Sequence, residues 1–489
     1  MTTIRRIAVA LCFAVLLAAP VAAQTAAPQV KPETLTVQSL DAFVAEQVRT
    51  RGLVGLSVGV MLDGKMILAK GYGKSILAGG IPVDPSTRFA IGSITKQFTS
   101  ACILLLAEDG KLAVTDKVAK YYPGLTRAND ITLLDLMNHV SGYPDYYPLD
   151  FVDRRMQKAI PVDELIRQYG TSKLDFEPGS RYSYSNTGFV ILGRIVEKVS
   201  GEPYGAFLER RILKPLGMNH TAYEPKVPSA GFAQGYVTFA LSPPQLPVPE
   251  GPGWVAAAGA LYSTPSDLAK WDLALVTGKV LKPESFALMT TPRKLRDGRM
   301  SNYGCGLAIS TRGDVKVLSH DGEVAGFVAM NTVVPSSRSA AILLSNLENS
   351  AIVNPIYARV VRMIVPPQPA PVQPAAAKPA PEKPYVPAIK GPPAAEACSL
   401  MLLALQAGHV DRSQLSDEFN YFLTDEKIRG ASARLKPFGE PTKVEVERVA
   451  ERGGMEVARV RFVFAKGELK GLMYRMPDGK IEEFFVSKE

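Results

Sequence analysis

The sequence predicts an α+β fold, an α/β sandwich whose antiparallel sheet is built from both ends of a large domain and flanked by helices. Three observations predict it. Near the start, residues 56–61 and 66–70 read as two strands joined through Asp63-Gly64, a hairpin signal. Much later, four strand-like runs at 304–311, 315–319, 326–334 and 340–344 follow one another across short turns. Between these β-rich ends, roughly 94–290, the apolar spacing is mostly helical, as in Phe189-Val190-Ile191-Leu192-Gly193-Arg194-Ile195-Val196. Strand-forming ends around a helix-forming middle imply one sheet with a large helical insertion.

Taken in order, residues 1–23 place Arg5 and Arg6 before an apolar run at 7–17, then Pro20 and Val21-Ala22-Ala23. This is the pattern of a secretory signal peptide cleaved after Ala23, which implies a periplasmic or secreted protein. An amphipathic helix at 40–51 leads into the first hairpin, and a helix at 349–364 ends the large domain, assigned to 34–365. From 366 to 393 prolines recur every two to five residues and apolar periodicity vanishes. Such a linker is semi-rigid; at about 3.1 Å per residue it spans up to roughly 80 Å. The small domain, 394–489, reads as helices at 394–407 and 426–435, then strands at 443–449, 456–464, 469–475 and 481–486. That order resembles an NTF2-like or cystatin-like α+β cone. It holds no nucleophile or ligand cluster, so the expectation is an accessory or dimerising module.

At 46% hydrophobic and 21% charged residues the 489-residue chain is globular. Cys12 leaves with the signal, and Cys102, Cys305 and Cys398 form no CxxC, so no disulfide framework is implied. Loss of Arg5 and Arg6 takes the net charge from +9 to +7. This charge is spread along the chain, compatible with association at an anionic cell envelope, and no motif supports nucleic-acid binding. No stretch after the signal is long and apolar enough to span a membrane. His220 and His409 lack partners at metal spacing and no HExxH occurs, so neither metal nor other cofactor is expected.

The chemistry concentrates in three short motifs. Ser93-Ile94-Thr95-Lys96 is the only SxxK in the chain. In a helical first turn its serine and lysine share one face, and unpaired N–H groups there favour an oxyanion. Tyr184-Ser185-Asn186 opens a predicted helix, and His320-Asp321-Gly322 closes a predicted strand. Each residue has a plainer reading: Ser93 as a helix cap beside a solvated Lys96, Tyr184 as a core aromatic, Asn186 as a cap, His320 as a strand-end histidine. His139, beside the turn Ser141-Gly142, is left outside the catalytic set. Tyr143, Tyr146 and Tyr147 either line an acyl pocket or pack on the surface.

Together the order SxxK, YxN, HxG resembles the serine β-lactamase and penicillin-binding protein superfamily, in its class C-like, family VIII esterase-like and D-aminopeptidase-like branch. Further matching blocks are Leu136-Met137-Asn138-His139-Val140-Ser141-Gly142, Pro215-Leu216-Gly217-Met218 and Ala258-Gly259-Ala260-Leu261-Tyr262-Ser263-Thr264. The resemblance implies Ser93 as acylated nucleophile, with Lys96 and Tyr184 sharing the acid/base work. It implies Asn186 as substrate-orienting, His320 and Gly322 at the substrate and oxyanion side, and the N–H groups of Ser93 and Glu323 as oxyanion donors. An amine of ordinary pKa is neutral in only about one molecule in 2,500 at pH 7, so Lys96 needs burial or neighbouring charge to act as a base. Where classical relatives carry Lys-Thr-Gly, this chain carries His320-Asp321-Gly322. Losing that fixed cation weakens capture of a β-lactam or peptide carboxylate. The expected function is therefore an exported serine hydrolase acting through an acyl-enzyme on carboxylic esters or small D-amino-acid amides. The alternative is a penicillin-binding or sensing protein, or weak β-lactamase, that acylates slowly. Substrate choice depends on the loops 143–153 and 237–255, which carry no readable code.

Overall fold

The computed structural model describes residues 35–365 and 386–488; the signal and residues 366–385 of the proline-rich run lie outside the described residues. Seven antiparallel strands form the main sheet in the order Ile81–Pro82, Lys65–Ile76, Gly55–Leu62, Ser339–Ser345, Phe327–Val334, Val315–Val324, Ala308–Arg312. The first hairpin turns at Asp63-Gly64, both with positive φ (46° and 74°), as a two-residue turn of matching twist requires. The two ends of the domain meet at the centre of the sheet, with Val58 opposite Leu343 and Val60 opposite Ala341.

Alternation along these strands feeds two cores. Val58, Val60, Ala341 and Leu343 pack with Leu40 and Val44 of helix Val37–Thr50 and with Val353, Ile356 and Val360 of helix Ser350–Val361. Ala340, Ile342 and Leu344 face the opposite core, shared with Phe98, Leu104 and Phe189 of the helical body. This is the expected sandwich, with the insertion on one face. Helix Thr95–Glu108 runs through the middle of that second core, buried on nearly every side from Thr95 to Leu106. Two of its buried side chains pair across to later segments: Gln97 Oε1 accepts from Trp271 Nε1 at 2.8 Å, and Thr99 Oγ1 donates to Ala257 O at 2.7 Å.

One strand differs from expectation in a way that matters for the site. His320-Asp321-Gly322 does not close its strand; pairing with Phe327–Val334 continues to Val324, and the chain turns at Ala325-Gly326. Glycine inside an apolar run reads as a strand end, but here it marks a close backbone approach.

The small C-terminal sheet is a sequential meander of Lys443–Arg452, Met455–Phe464, Gly467–Arg475 and Ile481–Ser487, covered by helices Ala394–Ala407 and Asp425–Leu435. A short helix unmarked in the sequence, Asp417–Phe422, is capped by Ser416, whose side chain accepts from Phe419 N. This sheet packs directly against the large domain. Leu149, Phe151, Phe239 and Ala240 of the large domain enter the same core as Leu405, Phe419 and Phe484. The Phe151 and Phe422 rings lie 4.7 Å apart, Arg154 Nη2 meets Glu418 Oε1 at 2.8 Å, and Asp150 N donates to Glu483 Oε2 at 2.8 Å. Apolar burial of this kind outweighs the reach of an extended linker.

Candidate active site

Ser93 sits in a 3-10 turn, Gly92–Ile94, that winds directly into helix Thr95–Glu108. The turn holds Ser93 partly exposed while Lys96, one helical turn on, is fully buried. Lys96 Nζ lies 3.0 Å from Ser93 Oγ, 2.7 Å from Asn186 Oδ1 and 2.8 Å from Ala258 O. These three contacts saturate an ammonium. A neutral amine needs only two of them as acceptors, and its lone pair then faces the serine hydroxyl. Burial lowers the Lys96 pKa from 10.5 to about 7; Asp145 and Asp321 oppose the shift, and the Arg452 guanidinium adds to it.

The second motif approaches from the start of helix Asn186–Ser200. Asn186 spends its side chain on the lysine: Oδ1 accepts from Lys96 and Nδ2 donates to Asp145 Oδ1 at 2.9 Å, which also receives the Asn186 N–H at 3.0 Å. Tyr184 hydrogen-bonds with Ser93, and its ring centroid is 4.9 Å from Lys96 Nζ. Burial pushes its phenol well above the ordinary value, so it carries its proton at neutral pH. His139 packs against this ring at 4.3 Å, and its Nδ1 accepts from Ser185 N at 3.1 Å, fixing the approach to the helix.

The third motif meets the nucleophile backbone to backbone. A Cβ added at Gly322 would lie 2.0 Å from Ile91 O and 2.9 Å from Ser93 N; one added at Gly92 (φ +48°) would lie 2.7 Å from Glu323 N. Only glycines permit this approach, which sets the backbone at Gly322 and Glu323 against that of residues 91–93. His320 is placed differently from its expected substrate-facing position. It is 5% exposed; Nδ1 bonds the carbonyl of Asp321, and Nε2 faces Tyr303 OH at 2.7 Å. With Nδ1 donating to a carbonyl, Nε2 accepts from the tyrosine, the arrangement of a neutral ring. Burial lowers its pKa to about 4. It thus supports the strand and Tyr303 from behind the cleft.

Ser93 opens into a cavity of only about 40 Å³, lined by Tyr146, Tyr147, Asp150, Asn186, Glu323 and, from the small domain, Arg452. Arg452 ends the first strand of the C-terminal sheet, at a tight turn of Gly453 (φ +57°) and Gly454 (φ +78°) whose backbone abuts Pro148. Its Nη1 donates to Asp150 Oδ1 at 3.0 Å and its Nη2 to Tyr147 O at 3.1 Å. Sequence reasoning missed Arg452, Asp145, Tyr303 and the Ala258 carbonyl. The Ala258 block carried a recognisable motif, whereas nothing local marks a lone Arg-Gly-Gly turn as part of a distant cleft.

The Beta-lactamase family model matches residues 40–361. The chain belongs to this family. Among relatives, it is 28% identical over 328 residues to the putative penicillin-binding protein PbpX of Bacillus subtilis (strain 168), covering 66% of this chain and 78% of that one. It is 29% identical over 331 residues to penicillin-binding protein 4* of the same organism, covering 64% and 71%. Among solved structures, D-amino acid amidase from Ochrobactrum anthropi SV3 superposes with a TM-score of 0.60 at 25% identity, over 67% of this chain and 98% of that one. The octameric penicillin-binding protein homologue from Pyrococcus abyssi shares the fold over 93% of this chain, with a TM-score of 0.59 at 22% identity.

Proposed function

We propose that this family member is an exported serine hydrolase that forms an acyl-enzyme at Ser93 and acts on carboxylic esters or small D-amino-acid amides. The observation that carries the reading is Lys96: a fully buried amine 3.0 Å from a partly exposed serine hydroxyl, with its pKa lowered to about 7. In the proposed reaction Ser93 Oγ attacks the substrate carbonyl as its proton passes to neutral Lys96. The oxyanion meets the N–H groups of Ser93 and Glu323. Collapse breaks the bond to the leaving oxygen or nitrogen, which takes a proton from Tyr184 as Lys96 restores the phenol. Water then attacks the acyl-enzyme by the reverse sequence. The high pKa of Tyr184 supports a relay for the phenol and the resting base role for Lys96. Amide hydrolysis draws support from the D-amino acid amidase likeness.

A second reading, a penicillin-binding or sensing protein that acylates slowly, draws on the names of the Bacillus relatives. Labelling with a fluorescent phosphonate and a fluorescent penicillin in parallel, followed by burst kinetics on a nitrophenyl ester, separates the two. Stoichiometric phosphonylation with continuing ester turnover supports the hydrolase, and a burst without turnover supports the sensor. Full activity in Ser93→Ala removes Ser93 as nucleophile.

A further inference from the structure

A second cavity, of about 510 Å³, lies between the large domain and the C-terminal sheet. It shares Tyr147, Asp150, Glu323 and Glu348 with the Ser93 cavity, so the two adjoin along four common lining residues. We propose that this cavity is the acyl subsite: it takes an apolar alkyl or aryl chain attached to the scissile carbonyl, and the C-terminal domain builds one of its walls. The proposal rests on the acyl-enzyme reading above.

Size makes the first case. The space at Ser93, about 40 Å³, is less than a tenth of the adjoining cavity, so a long acyl chain finds its room in the larger one. The adjoining cavity falls within the roughly 300–1,000 Å³ typical of small-molecule sites. Lining chemistry makes the second. Phe151, Phe239 and Val248 contribute from the large domain and Phe422, Leu472 and Phe485 from the small one. At the rim Leu246 and Val248 are 65% and 52% exposed, apolar surface that an apolar chain would cover. Direction makes the third. Glu323, whose N–H is a proposed oxyanion donor, lines both cavities, so a carbonyl held at Ser93 lies beside the larger one. The proposal assigns that larger space to the acyl side of the carbonyl.

The test is a series of p-nitrophenyl esters from acetate to octanoate, and a matched series of acetates with lengthening alcohols, on the full-length protein. The proposal expects kcat/KM to rise with acyl length by up to roughly three- to four-fold per methylene, and to stay nearly flat with alcohol length. Leu472→Trp, within the C-terminal wall, and Val248→Trp, at the exposed rim, should each reduce the rise to less than about half of its wild-type steepness per methylene. Phosphonate labelling of Ser93 in each variant shows that it is folded. A flat acyl series in the wild type, a slope in the alcohol series instead, or an acyl slope that survives in either folded variant overturns the proposal. If neither acetate turnover nor phosphonylation is seen in the wild type, it is the hydrolase reading itself that fails.

Discussion

The pH dependence of acylation tests the Lys96 assignment most directly. With a pKa lowered to about 7, Lys96 costs about 5 kcal/mol to keep charged in its buried site relative to water. At pH 5.5 about 3% of it is neutral, at pH 7 about half and at pH 8.5 about 97%, so kcat/KM should climb about 30-fold over that range and then level. An amine of ordinary pKa predicts instead about 1,000-fold over the same range with no plateau. The assay is initial-rate hydrolysis of p-nitrophenyl acetate, read at the isosbestic wavelength and corrected for buffer hydrolysis. Arg452→Gln supplies an internal control, because the guanidinium lowers the Lys96 pKa. Removing that positive charge eases protonation, so the break should move to higher pH. A unit slope continuing through pH 9, or an Arg452→Gln break that stays put or falls, refutes the argument.

Three further outcomes follow from the same contacts. Gly322→Ala would place a Cβ 2.0 Å from Ile91 O and 2.9 Å from Ser93 N, displacing the proposed oxyanion donors; phosphonylation should slow by about 10²- to 10³-fold. His320 binds its proton less readily in the fold, with a pKa of about 4 against 6.5, so the unfolded chain takes up the extra proton between these values. Stability should therefore be lost as pH falls from about 6.5 to 4, by about 3 kcal/mol, and His320→Gln should flatten that part of a urea-melt pH series. Phe151→Ala removes an 8%-exposed ring from the core shared by both domains; a loss of about 3 kcal/mol in chemical denaturation is expected, and an unchanged midpoint would show that the contact contributes little.

Much of the sheet was legible because its strands are short, largely apolar runs bounded by turns, one of them a positive-φ Asp-Gly turn, all local signals. The nucleophile and its lysine were legible for the same reason, being three residues apart on one turn. The strand carrying the third motif was misread because Gly322 serves a contact with Ile91 and Ser93, more than 200 residues earlier, which no window around position 322 contains. Asn186 shows the converse. Its position was readable, but its side chain is held between Lys96 and Asp145, and that division of its hydrogen bonds exists only in three dimensions. The docking of the C-terminal domain was hidden by the proline-rich run, whose composition describes reach and says nothing of the apolar residues 149, 151 and 239 that receive the domain.

These contacts bear on the substitution of histidine for lysine in the third motif. Replacing that cation by a neutral imidazole removes one means of keeping Lys96 unprotonated, yet its pKa still falls to about 7. Burial does most of this, and Arg452 reaches toward the cleft from the C-terminal sheet with Asp150 and the Tyr147 carbonyl as its anchors. A positive charge near the lysine is thus retained but transferred to another domain, on the side where the Ser93 cavity adjoins the larger one. A cation within the third-motif strand acts from a fixed position in the main sheet. One carried on a hairpin turn depends on the C-terminal domain being docked, which ties the basicity of Lys96 to the same contact that completes the wall of the larger cavity. Acylation chemistry and the shape of the acyl site are then both conditional on that docking, which is why a domain without catalytic residues of its own is expected to alter both the pH profile and the chain-length preference of Ser93.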